Sequence, residues 1–266
     1  MRNYYFDFIR GIAIMMVVAI HTFSVNNFDE TSNNVYILLR QSLNCAVPLF
    51  LAISGFFLAK IDLSSESKVL TFWKKQIPKI YLPCLIWSLP LLFLNLRHGN
   101  NPLIQIALLF ICGYSIYYFI ALIIQYYLLL PILQKSPPLK GLIITGVIST
   151  ISILLLTYAM QIKGVSLPLI VYAGNFAVLI VFFYSGVFLA STKRNYALLL
   201  PIIIIIVGLI LSFYESKYLY SFKGSGFGIK LSAFIYSIGM IFLLFNKRLE
   251  LLYKDNIKIF HYIRKL

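Results

Sequence analysis

Eight long apolar runs separated by short polar segments decide what this chain can fold into. They fall at about 5–24, 36–59, 77–96, 116–134, 141–161, 170–191, 196–213 and 228–245. A hydrocarbon core takes about 20 apolar residues per helical crossing. Inside it every backbone N–H and C=O must be paired within the protein, so runs of this kind cross as helices. The predicted fold class is all-α: a polytopic transmembrane helix bundle of about eight spans, forming one integral membrane domain over 1–266. Composition agrees, with 61% hydrophobic and 12% charged residues. The segment 103–112 is apolar but short, and is expected as an interfacial or re-entrant helix before the fourth span. The first run carries Asp7 and Arg10 with no small-residue cleavage site after it, which argues against a removable signal peptide.

The net charge of +15 follows topology. With the N-terminus inside, Arg2, Lys60, Lys68, Lys74, Lys75, Lys79, Lys135, Lys140, Lys193, Arg194, Lys247, Arg248, Lys254, Lys258, Arg264 and Lys265 share one side. Arg40, Arg97, Lys163, Lys217, Lys223 and Lys230 take the other. That bias predicts both termini in the cytoplasm, an even number of spans, and 246–266 as a basic cytoplasmic tail. The outer loop from Asn26 to Asn34 has no positive charge. No basic-aromatic stripe on a soluble domain is offered to nucleic acid, so none is expected as a partner. Cys45, Cys84 and Cys112 lie in or beside apolar runs without metal-ligand spacing, which fits neither a disulfide framework nor a metal site. They read as small core residues.

Charge inside the first run needs a reason, because ionisable residues within a membrane are expensive. Asp7 and Arg10 are three apart and can pair along a helix. His21 follows Arg10 by eleven positions, which returns to the same face within about 20° and rises about 16 Å. An arginine offers a planar fork of donors to a phosphate or carboxylate. A histidine can take a proton near neutral pH. The stripe is therefore expected to line a polar cavity inside the bundle; the plainer alternative is polar packing between helices. Lys74, Lys75 and Lys79 form a basic cluster that suits either phosphates or ordinary cytoplasmic anchoring. Ser54-Gly55 reads as a close-packing site. Tyr118 and Gln125 are candidate acceptor-side polar groups, and Tyr117 is a third.

The stretch Asp7-Phe-Ile-Arg-Gly-Ile-Ala-Ile-Met-Met-Val-Val-Ala-Ile-His21 resembles the first-helix signature of the membrane acyltransferase-3 family. Further similar segments follow in the family's order: Val47 to Phe57 with its Ser-Gly pair, Phe72 to Pro83, Tyr117 to Pro131, and Phe182 to Ala190. The resemblance covers residues 1 to about 250. It implies a multi-pass protein of the inner or plasma membrane that moves an acyl group, commonly acetyl from cytoplasmic acetyl-CoA, to a hydroxyl of an envelope sugar. The acceptor would be a polysaccharide or lipid-linked glycan.

The resemblance assigns His21 as the catalytic residue and Arg10 to the acyl donor. Asp7, Lys75, Lys79, Tyr118 and Gln125 are the expected substrate-binding residues. Acyl-CoA would be a substrate rather than a resident cofactor, and no metal is implied. Where relatives often carry two arginines three apart, this chain has Gln76 and Lys79 with Pro78 between. Relatives usually continue through further helices, so a shortened member is expected. Two rival readings remain: a transporter or glycan-export protein using the stripe as a path, and a catalytically inactive truncated relative.

Overall fold

The computed structural model describes residues 3–23, 34–114, 117–158, 162–164, 167–221 and 228–254. Arg2, the acidic part of the outer loop, Lys223, and the tail beyond 254 with His261 lie outside them. The helices are α1 (Tyr4–Phe23), α2 (Asn34–Ser42), α3 (Ala46–Leu58), α4 (Glu66–Arg97), α5 (Pro102–Phe110), α6 (Tyr118–Lys135), α7 (Pro138–Ser152), the single turn α8 (Leu169–Tyr172), α9 (Phe176–Ser191), α10 (Leu199–Ser221) and α11 (Leu231–Leu244). A 3-10 turn (Leu43–Cys45) joins α2 to α3, and a π-helical stretch (Ile153–Tyr158) extends α7. No strand occurs among the described residues.

Among the described residues each of the eight apolar runs is mainly helical, with 36–59 divided by the 3-10 turn and 170–191 broken between α8 and α9. Among the described residues six helices, joined segments included, are long and apolar enough to cross a membrane. α9 and α11, at 16 and 14 residues, are shorter. α9 is short because it is central: every residue from Val178 to Val187 is buried. A helix hydrophobic on all sides belongs inside a bundle. Its approach to α3 is backbone to backbone. A Cβ at Gly55 would lie 2.0 Å from the Phe183 carbonyl oxygen, and one at Gly186 would lie 1.9 Å from that of Ala52. Only glycine fits at these two crossing points. Phe6, Phe56 and Phe245 interlock beside the crossing, with ring centroids 5.0–5.5 Å apart.

Two boundaries differ from the sequence reading. The third run starts at Glu66, not 77, because Ser65 caps the helix by accepting from the Lys68 N–H and Glu66 sits in its first turn. The basic cluster is thus part of a 32-residue helix. The seventh run continues to Ser221 rather than 213. Its polar end is held by buried partners: Ser212 bonds Gln41, and Glu215 accepts from Ser232.

The expected tail also begins as structure. Residues 247–254 are helical, and Glu250 there is buried among cations. Arg194 reaches it at 2.9 Å, Lys254 at 3.0 Å and Lys247 at 3.3 Å, while the Asn3 amide donates to it at 3.1 Å. Burial opposes its charge, but hydrogen bonds from Lys254, Asn3 and Arg194 outweigh that and hold its carboxyl down at about 2. Tyr5 donates to the Leu244 carbonyl at 2.7 Å. The start of α1, the ends of α3, α9 and α11, and this cluster therefore share one end of the bundle. Arg40, Lys217 and Lys230 gather at the other.

Candidate active-site cavity

A cavity of about 510 Å³ opens at the end away from Glu250, between α1, the α2–α3 elbow, α9 and α11. Hydrocarbon side chains make up most of its wall. The polar lining is His21, Arg40, Asn44, Tyr118 and Ser237. His21 stands exposed at the end of α1, with Tyr118 on the facing wall. The α2–α3 elbow brings Arg40 and Asn44 in: the Arg40 guanidinium donates to Asn44 Oδ1 at 3.0 Å, and Asn44 Nδ2 donates to Gln41 Oε1 at 2.7 Å. Ser212 donates to the same Gln41 oxygen at 3.0 Å. Behind it the fully buried Lys230 donates to the Ser212 carbonyl at 2.8 Å and to the Ser216 hydroxyl. A continuous polar ladder thus runs from the cavity wall into the bundle.

The stripe on α1 divides. Arg10 and His21 share a helix face, yet only His21 reaches the cavity. Arg10 pairs with Asp7 at 3.1 Å and lies 5.1 Å from the Phe57 ring centroid, near the Glu250 end. Between the two levels, Ala13 is buried, and the cavity reaches from His21 down to Ile14, one turn short of Arg10. The cavity is also more apolar than the stripe led one to expect.

Lys75 lines a separate hollow of about 440 Å³ with Asp62, Lys68 and Gln76. Lys79 and Lys74 are exposed on α4. In that hollow Lys68 holds the Asp62 carboxyl down at about 2, chiefly through its side-chain hydrogen bond. Gln125 has a structural occupation. Its amide donates to the Gly174 and Ala121 carbonyls at 2.7 and 3.2 Å and accepts from the Phe176 N–H at 3.0 Å, tying α6 to the start of α9. Tyr117 donates to the Trp87 carbonyl at 3.3 Å.

Sequence reasoning passed over Arg40, Asn44, Lys230 and Ser237. Arg40 and Asn44 carried a signal, since polar residues four apart at the head of an apolar run meet on one face. Lys230 sits at the head of the eighth run, 228–245, and reads as loop charge. Ser237 has no sequence signal. Among the described residues, no group of three or more His, Cys, Asp or Glu side chains is placed to hold a metal ion.

A bundle of this kind, with an apolar cavity at one end and a histidine at its rim, defines a class: a polytopic helical membrane protein. The chain belongs to the acyltransferase-3 family, whose model, described as an acyltransferase domain, matches residues 3–263. Among curated proteins it is similar to an amino-acid racemase of Enterococcus faecalis, with 41% identity over 69 residues, 26% of this chain and 9% of that one. It is also similar to a serine/alanine racemase of Enterococcus gallinarum, with 34% identity over 132 residues, 46% of this chain and 18% of that one. The aligned segments thus cover less than a fifth of either relative. No solved structure matches the chain.

Proposed function

We propose that the protein is a membrane O-acyltransferase that moves an acyl group, acetyl by family expectation, from acyl-CoA to a hydroxyl of an envelope sugar or glycan. The observation that carries the reading is His21 at the rim of a cavity that also takes in Tyr118, within a chain of the acyltransferase-3 family. An unactivated hydroxyl is a poor nucleophile. In this reading His21 removes its proton as the oxygen attacks the thioester carbonyl. The C–O bond forms, the C–S bond breaks, and the proton passes from the imidazole to the departing thiolate.

Arg10, paired with Asp7 at the other end, suits the anionic part of the donor, with Lys75 and Lys79 as further cations on α4. The depth between Arg10 and His21, about 16 Å along the helix, matches an elongated donor. The cavity below His21 ends at Ile14, one turn short of Arg10, so in this reading the donor's thioester reaches His21 along that cavity once α1 gives way beside the buried Ala13. Arg40 and Asn44 are placed to orient the acceptor at the mouth.

The racemase names of the two relatives belong to proteins of which this chain covers a small part, and nothing in the cavity calls for racemisation. The test is acetyl transfer from radiolabelled acetyl-CoA by the full chain in nanodiscs, with glycolipid extract as acceptor. His21→Ala is expected to lower transfer by about 10²- to 10⁴-fold and Arg10→Ala to raise the KM for acetyl-CoA. Undiminished transfer by a folded His21→Ala protein would remove the histidine from the chemistry. Absence of transfer in the unaltered protein would remove the reading itself.

A further inference from the structure

Among the side chains lining the cavity that contains His21, Arg40 is the one with a fixed charge. It is 9% exposed, on α2, in a wall that is otherwise mostly hydrocarbon. Taking a guanidinium out of water is costly unless its charge and its donors are answered. Placing one at the wall of a cavity has a use when what enters the cavity is an anion.

A neutral scaffold positions the group. The guanidinium donates to Asn44 Oδ1 at 3.0 Å, and the Asn44 amide nitrogen donates to Gln41 Oε1 at 2.7 Å. Ser212 donates to that same Gln41 oxygen at 3.0 Å. The Asn44 carbonyl is thereby held toward Arg40. Behind this scaffold the charge balance is positive. Buried Lys230 lies near enough to Arg40 to be repelled and near enough to Glu215 to be attracted. Glu215 also accepts from the Ser232 N–H and hydroxyl. Among the described residues it is the one carboxylate at this end, since Asp7, Asp62, Glu66 and Glu250 lie at the other. Two buried cations and one carboxylate therefore back an apolar cavity, and low-dielectric walls focus such a field into the space.

We propose that this cavity recognises an oxyanion through Arg40, so that the acceptor carries a carboxylate or a phosphate beside the hydroxyl that takes the acyl group. The planar fork meets two oxygens of one oxyanion at once, while His21 meets the hydroxyl. This deepens the acyl-transfer reading and rests on it for the role of the ligand as acceptor. It adds a charge requirement to that reading, because a neutral sugar gives the guanidinium no opposite charge.

The probes are methyl glucuronide, methyl glucoside 6-phosphate and neutral methyl glucoside. Each is titrated by ligand-observed NMR against the full chain in nanodiscs of zwitterionic lipid, with empty nanodiscs as the blank. The anions are expected to bind about tenfold or more tightly than the neutral glucoside, and the tighter of the two identifies carboxylate or phosphate. Arg40→Gln should weaken the anions about ten- to a hundredfold, the loss of a charge-assisted pair of hydrogen bonds, and leave the neutral glucoside unchanged. Arg40→Lys, which keeps the charge without the fork, should recover part of that loss. Asn44→Asp supplies the guanidinium with a carboxylate from its own scaffold. It should exclude the anions from a folded protein, which tests the proposal even where Arg40→Gln does not fold. Lys217→Gln removes an exposed cation of the same end that does not line the cavity, and should change nothing.

Equal binding of the three probes would overturn the charge requirement. Anion binding that survives Asn44→Asp, or that falls as far in Lys217→Gln as in Arg40→Gln, would overturn the assignment to Arg40. The assay reads binding alone, so a preference for anions in a protein that transfers no acetyl sustains the site and sinks only the acyl-transfer reading.

Discussion

The two ends of α1 present the same kinds of side chain in opposite conditions. At the Glu250 end every polar group shown has a committed partner. Asn3, Arg194, Lys247 and Lys254 converge on one carboxylate, Arg194 also donates to the Phe245 carbonyl at 3.2 Å, and Arg10 is joined to Asp7. Aromatic rings cover the charges: the Arg194 guanidinium lies 4.8 Å from the Phe56 centroid, and the Lys60 ammonium lies 4.6 Å from it. At the His21 end the polar groups border a space, and one buried hydroxyl has no partner among the described residues. One end is closed by ion pairs and rings, and the other leaves a cavity beside its polar groups. Residue type does not make that distinction; the packing around each group does.

This contrast can be broken by measurement, and the expected effects on stability run in a definite order. Glu250→Ala leaves Arg194 buried without its carboxylate and should cost about 3–5 kcal/mol, read by thermal or SDS unfolding in bilayer mimetics. A loss under about 1 kcal/mol would show the cluster to be surface decoration.

The same group predicts an acid transition. The Glu250 carboxyl is held at about 2 against an ordinary 4.5. Its contribution is therefore present above pH 4.5 and fades as pH falls from there toward 2. Glu250→Gln should flatten the profile in that window; an unchanged profile would assign acid lability elsewhere.

Next in size is Gln125→Ala, which strips partners from the Gly174 carbonyl and the Phe176 N–H and should cost about 1–2 kcal/mol. It should leave acetyl transfer by the folded protein untouched. A loss of transfer with no change in stability would restore Gln125 to the acceptor side.

The smallest stability effects belong to the open end. His21→Ala and Ser237→Ala should each shift unfolding by less than about 0.5 kcal/mol, although the first is expected to impair function. A large destabilisation by either would erase the difference between the two ends.

Much of the fold was readable from the chain, and the limits were local. The eight apolar runs became helices because run length and backbone pairing leave a membrane segment no other regular choice. The start of α4 was misplaced by eleven residues because its first turns, including Lys68, Lys74 and Lys75, are too polar to register as a span, although Ser65 supplies an ordinary cap. The end of α10 was cut short for the same reason: Glu215 and Ser216 read as loop until Ser232 and Lys230 arrive to hold them. The Ser54-Gly55 pair did point to close packing, and the Phe183 carbonyl is what it packs against.

At the candidate site the sequence placed His21 and Arg10 on one face of one helix, and helical geometry alone secures that. It did not show that the cavity takes in His21 and stops at Ile14, short of Arg10, nor that Tyr118 lines that cavity while Gln125 is bonded to the start of α9. Periodicity reports which way a side chain leaves its own helix. It carries no information on what another helix brings opposite.

By itself, then, the sequence determined an all-helical membrane bundle, the gathering of basic residues at one end, and the family signature on α1. Each follows from local constraints: hydrocarbon thickness, backbone pairing and 3.6 residues per turn. Only the tertiary structure decided that Glu250 would be ringed by cations and that Arg40 and Asn44 would join His21 around a cavity. Those outcomes depend on contacts between residues as many as 247 positions apart, and burial and hydrogen-bond satisfaction are properties of the assembled bundle rather than of any segment within it.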